Sequence, residues 1–144
     1  MSSRLFQKMR EEMGICYYVG ADNDVFTDHG AFAVFAGVDS TRVKDAIVAI
    51  LAELKKMRTE LVGKEELHKV KKQLIGKLNL NLESSDDVAE FYGGQEVLRE
   101  NIKTPEDIIK EIEKVTAEEI KFVAERIFKD ETLNLAIVGK FKNE

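Results

Sequence analysis

The spacing of apolar positions changes several times along the chain, and each change marks an element. Leu5, Phe6, Met9 and Met13 recur at helical spacing, with Ser2 or Ser3 placed to cap the helix. Gly14 stops it, because glycine enters the left-handed conformation without a Cβ clash. Ile15, Tyr17 and Val19 then alternate with Cys16 and Tyr18, the period of a strand. That alternation predicts Tyr17 on the same strand face as Ile15 and Val19. Turn formers fill GADNDVFTDHG, and AFAVFAGV reads as a second strand, so the two predict an antiparallel hairpin with a longer loop.

Helical period returns after Asp39 or Ser40, either of which can cap. Val43, Ala46, Ile47, Ile50, Leu51, Leu54 and Met57 form one apolar stripe. A second long helix starts near Lys64, with Leu67, Val70, Leu74 and Leu78 predicted inward. SSDDVAEFYGGQEVLREN opens with two possible caps and two acids, which suit a helix N-terminus. Gly93 and Gly94 within it mark a close helix contact or a break. Thr104 and Pro105 begin the next helix. TAEE, residues 116–119, is a capping box. Ile120, Val123, Ala124, Ile127 and Phe128 follow as a buried side. TLNLAIVG alternates again and predicts a last strand. Strands and helices segregate along the chain, so the class is α+β, with helices covering one face of a mainly antiparallel sheet. Three strands are few for helices of this total length, which points to further strands upstream.

Composition narrows the function classes. The chain has 144 residues, enough for one domain with a real core, and carries 44% hydrophobic and 34% charged residues. A formal net charge of -5, with no Lys/Arg cluster among aromatics, argues against nucleic-acid binding. No apolar run approaches the ~20 residues of a membrane span. The N-terminus lacks the apolar core of a signal peptide. Cys16 is the single cysteine, so no internal disulfide forms and a reducing, cytoplasmic location is expected.

The candidate chemistry is sparse. His29 and His68 are isolated, and neither H-E-x-x-H nor H-x-x-E-H occurs. Glu65, Glu66 and His68 do not share one helix side, so no metal site is expected. Cys16 has no base in view and reads as a structural thiol. The serines read as caps, and YGGQ falls short of a phosphate cradle. Arg10 and Tyr17 remain. Arg10 follows Phe6 by four and precedes Met13 by three, so it borders the apolar face. The glycine stop turns the chain back, so a guanidinium and a phenol can converge at one end of the sheet. Snorkelling for Arg10 and packing for Tyr17 stay open beside that.

Taken together, SSRLFQKMREEMGICYYV, FAVFAGVD, EELHKVKKQLIGKLNLNLES, VTAEEIKFVAERIF and LNLAIVG resemble the C-terminal domain of the M16 metallopeptidases, the insulinase or pitrilysin-like family that includes the mitochondrial processing peptidase. The resemblance runs nearly end to end and is most specific from Ser3 to Tyr17. It implies a two-domain clamshell around a peptide substrate. The N-terminal domain there holds zinc with H-x-x-E-H and a further glutamate. The C-terminal domain supplies an arginine and a tyrosine in R-x6-Y spacing, which fall on Arg10 and Tyr17 as substrate-binding residues.

By that resemblance residues 1–144 are a partial C-terminal domain, missing its first strand and helix. The chain would hold no catalytic residue and no cofactor, and be inactive alone. Zinc would belong to the N-terminal domain of a parent or partner chain. Expected partners are that domain, a peptide and a second copy of the chain, reached through an uncovered sheet edge. The alternative is a catalytically silent M16-like scaffold or partner subunit.

Overall fold

The computed structural model of the chain describes residues 3–98 and 101–140. They divide into two compact units, Met1–Glu60 with Phe122–Glu144 and Leu61–Lys121.

The first unit begins with a short helix, α1 (Arg4–Phe6), which widens directly into a π-helix over Gln7–Glu12. Ser3 caps it, its hydroxyl accepting from the Phe6 N–H at 3.3 Å. Ser2, the other candidate cap, lies outside the described residues. The Met13 N–H donates to the Lys8 carbonyl at 3.1 Å, the longer reach of a π turn. Gly14 then takes φ +59°, and the Ile15 N–H donates to the Met9 carbonyl at 2.9 Å. That closure spans one residue more than the usual glycine stop, as the wider helix requires.

Strands β1 (Cys16–Val25) and β2 (Gly30–Val38) pair antiparallel. The ladder runs further than the turn formers suggested. Gly20 to Val25 pair with Phe35 to Gly30, and the connection shortens to residues 26–29, closed by Phe26 N–H donating to the His29 carbonyl at 2.9 Å. Near its start the register slips. Cys16 faces Val38 and Tyr18 faces Gly37, so Tyr17 is the extra residue of a β-bulge. The bulge overturns the simple alternation. Ile15 and Cys16 are both buried, at 4% and 9% exposure, whereas Tyr17 is 76% exposed. An inserted residue shifts every later side chain by one face, so Cys16 and Val19 both reach the core and Tyr17 does not.

Asp39 caps the return, accepting from the Thr41 N–H at 2.8 Å and the Thr41 hydroxyl at 2.6 Å. A 3-10 turn (Ser40–Arg42) leads into α2 (Val43–Thr59). Met9, Ile15 and Cys16 are buried against Ala46 and Ala49 of α2. Glu53 is buried on α2 as well, with the Lys56 ammonium 2.6 Å away. The deepest line of α2 therefore runs along the small edge of its apolar stripe, because alanines admit the closest approach, and Leu51 is left exposed. From α6 (Ala117–Ile127) Ala124 is buried, while Val123 and Ile127, expected inward, are exposed. The Phe128 ring lies 4.8 Å from that of Phe32. A 3-10 turn (Asp130–Thr132) follows, but residues 133–138 join no ladder among the described residues, and Leu135 is 64% exposed. Alternation supplies a strand with two faces but not a partner, and β1 and β2 pair with each other.

The second unit contains α3 (Lys64–Leu80), α4 (Ser85–Leu98) and α5 (Pro105–Lys114). α3 packs on α5, and the Lys71 ammonium donates to the Glu113 carbonyl at 2.7 Å. Leu67 and Leu78 are half-buried, whereas Val70 and Leu74, also expected inward, are exposed. α4 runs through Gly93 and Gly94 unbroken, and nothing lies within 4 Å of a Cβ built at either. Ser84 and Asp87 cap α4 reciprocally.

Thr104 and Asp107 form the corresponding box on α5. The Thr104 hydroxyl accepts from the Asp107 N–H at 3.2 Å, and the Asp107 carboxylate accepts from the Thr104 hydroxyl at 2.9 Å. The Thr104 hydroxyl, then its N–H, hold the Asp107 pKa below the usual carboxylate value, with Lys110 adding to them. A lowered folded-state pKa stabilises above the unfolded value, about 4, and that contribution is lost as pH falls through the folded value. Thr104→Ala is therefore expected to lower the melting temperature at neutral pH. The gap to the parent protein should narrow in thermal melts taken below about pH 4.

Candidate functional site

Arg10 lies in the π-helical stretch, with its guanidinium carbon 5.1 Å from the centre of the Phe6 ring. This is a cation–π contact at an exposed position. Its charge also reaches Cys16. Burial pushes the Cys16 thiol above its usual pKa, and Arg10 opposes that shift without cancelling it. Cys16 is thus a protonated core thiol at neutral pH, poorly suited to nucleophilic work.

Tyr17 leaves the strand at the bulge and lines a cleft of about 140 Å³ with Gly14, Ile15, Cys16, Asp39 and Arg42. The glycine stop and the bulge form one wall, and the turn that starts α2 forms the other. The Thr41 hydroxyl and N–H hold the Asp39 carboxyl below the usual range, and Arg42 adds to them. Arg42 in turn donates from Nε to the Asp45 carboxylate at 2.6 Å.

The expected convergence is therefore partial. Arg10 and Tyr17 both stand at the helix-to-strand junction, but no hydrogen bond joins them among the described residues, and Arg10 is outside the cleft lining. Tyr17 is brought instead beside Asp39 and Arg42. Those two residues escaped the sequence reading, in which Asp39 appeared only as a cap. Only the return of β2 to the start of α2 places them there.

Among the described residues no three His, Cys, Asp or Glu side chains stand close enough to hold a metal ion. His29 pairs with Asp28 at 2.6 Å and stacks on Phe26, and His68 is exposed on α3. No helix is long and apolar enough to cross a membrane among the described residues.

The family model described as the Peptidase M16 inactive domain matches residues 1–74. The chain belongs to this M16 family. The uncharacterized zinc protease YmxG of Bacillus subtilis is 30% identical over 99% of this M16 chain and 35% of its own length. A zinc protease of Rickettsia felis is 33% identical over 96% of the chain and 33% of its own length. The M16 chain thus spans about a third of the curated relatives it matches.

Solved structures agree on the α+β fold. A conserved protein from Enterococcus faecalis superposes with a TM-score of 0.77 at 27% identity, over 86% of the M16 chain and 29% of that one. A protease from Helicobacter pylori superposes at 0.70, over 90% of the M16 chain and 31% of that one. At 24% identity this last likeness speaks for the fold alone.

Proposed function

We propose that this M16 domain is the substrate-holding part of a zinc-dependent peptidase, inactive without the domain that carries the metal. Arg10 and Tyr17 are its peptide contacts. The observation that carries this reading is the bulge at Tyr17, which turns that residue outward at a cleft by the helix-to-strand junction. A strand tyrosine meant only for packing has no need of the extra residue. Both side chains are hydrogen-bond donors, suited to a peptide carbonyl and to negative charge developing on it. The described residues do not fit zinc, so the metal named in the curated relatives would be held elsewhere in the longer protein. The exposed apolar side chains of Leu133, Leu135, Ile137 and Val138 and the hairpin edges are where the N-terminal M16 domain or a second copy would engage. The buried, unpaired Cys16 suits a reducing compartment such as the cytoplasm.

The test uses the full-length protein. Arg10→Ala and Tyr17→Phe are each expected to reduce kcat/KM on a peptide substrate at least about tenfold, or ~1.4 kcal/mol of transition-state stabilisation. Unchanged turnover in both variants would refute the assignment. The second reading is a catalytically silent scaffold, and the family description as an inactive domain fits it as well as the first. A full-length protein that binds peptides without cleaving them would establish that reading instead.

A further inference from the structure

We propose that Asp39 and Arg42 complete the Tyr17 cleft as a reader of peptide main chain, indifferent to side chains. The proposal rests on the peptide-binding reading above and names what the cleft recognises. The hydrogen-bond inventory of its rim points that way. Asp39 uses Oδ1 for both bonds from Thr41, and Oδ2 carries no hydrogen bond among the described residues. Arg42 commits Nε to Asp45, and its two terminal nitrogens carry no hydrogen bond among the described residues. The Tyr17 phenol is exposed beside them. The rim therefore offers one charged acceptor next to several donors.

Charge excludes the simpler ligands. Arg42 lies between two carboxylates, bonded to Asp45 and close enough to Asp39 to lower its pKa. A lone acidic group would meet Asp39, and a lone ammonium would meet Arg42. A neutral group with a donor and an acceptor side by side satisfies both, and that group is the peptide unit. Its N–H donates to Asp39 Oδ2, and a neighbouring carbonyl accepts from Arg42 or Tyr17. Charged partners make these bonds stronger than neutral ones. The expected ligand is an extended peptide of varied sequence.

Asp39→Asn isolates the claim. Asparagine caps a helix as well as aspartate does, so the Thr41 bonds survive, while the free oxygen becomes an NH2 donor. The measurement is the affinity of the full-length protein for a peptide and for analogues with one backbone amide replaced by an ester in turn. An ester removes the N–H and keeps the carbonyl. In the parent protein one ester position is expected to weaken binding about tenfold. In Asp39→Asn the amide peptide should bind about tenfold more weakly, and the same ester should cause no further loss. Asp39→Ser, which also retains a cap, gives the same pattern and serves if the asparagine variant misfolds.

An ester penalty that persists undiminished in both variants overturns the proposal. So does a parent protein that tolerates every ester. In either case peptide turnover that still depends on Tyr17 leaves the broader reading standing. If the full-length protein binds no peptide at all, both fall together.

Discussion

Met9→Ala is expected to lower the unfolding free energy of the chain by about 2–5 kcal/mol, read from the midpoint of a urea titration. Met9 is 0% exposed and sits where the π-helix, the first strand and α2 meet. Truncation removes its transfer free energy and leaves a cavity beside Ile15 and Ala46. The neighbours on α2 are alanines, which have no flexible reach to fill the gap. Met9→Leu, close in volume, should cost less than about 1.5 kcal/mol. A Met9→Ala midpoint equal to that of Met9→Leu would mean that the site collapses freely and that this core is not tightly packed.

Gln95→Ala is expected to destabilise the second unit by about 1–3 kcal/mol. Gln95 is 7% exposed, and both ends of its amide pair with the backbone of Lys103, the nitrogen also donating to the Phe91 carbonyl at 3.3 Å. Its Oε1 accepts from the Lys103 N–H at 3.0 Å, and its Nε2 donates to the Lys103 carbonyl at 3.1 Å. The side chain thus ties the segment before α5 to α4 as a strand partner would. Alanine leaves a donor and an acceptor unpaired, and the half-buried position of Lys103 lets water make good only part of that loss. Amide hydrogen exchange at Lys103 gives the direct readout, and unchanged protection there would show that the pairing does not hold the segment. Nothing in the sequence pattern marked Gln95. A lone glutamine on a helix looks like surface until the chain folds back on it.

The elements that were legible were those whose cause is local. Ser3, Asp39, Thr104 and Thr116 each cap a helix, because a cap needs only a side-chain oxygen and an N–H two or three residues away. Gly14 was legible as a stop for the same reason, and it carries the positive φ that a stop requires. The hairpin followed from its apolar run, though its ladder extends over polar residues that looked like loop. The family was legible because order and spacing survive in the sequence, and the match over residues 1–74 bears that out.

The candidate site divides along the same line. Residue type, spacing and the helix–glycine–strand order fall within a few residues of one another, so the chain alone put Arg10 and Tyr17 at one junction. Which way each side chain turns depended on groups far away in sequence. The register between Cys16 and Val38 created the bulge, and the bulge took Tyr17 out of the core. The return from β2 set Asp39 and Arg42 beside Tyr17 rather than Arg10. Apolar stripes on α3 and α6 show the same division: periodicity chose the face, but burial depended on what packs there, and Val70, Leu74, Val123 and Ile127 remain exposed. Local backbone chemistry acts over one turn or one pleat and can be read from neighbours in sequence. Pairing register and burial are properties of two segments at once, and only the folded chain brings those segments together.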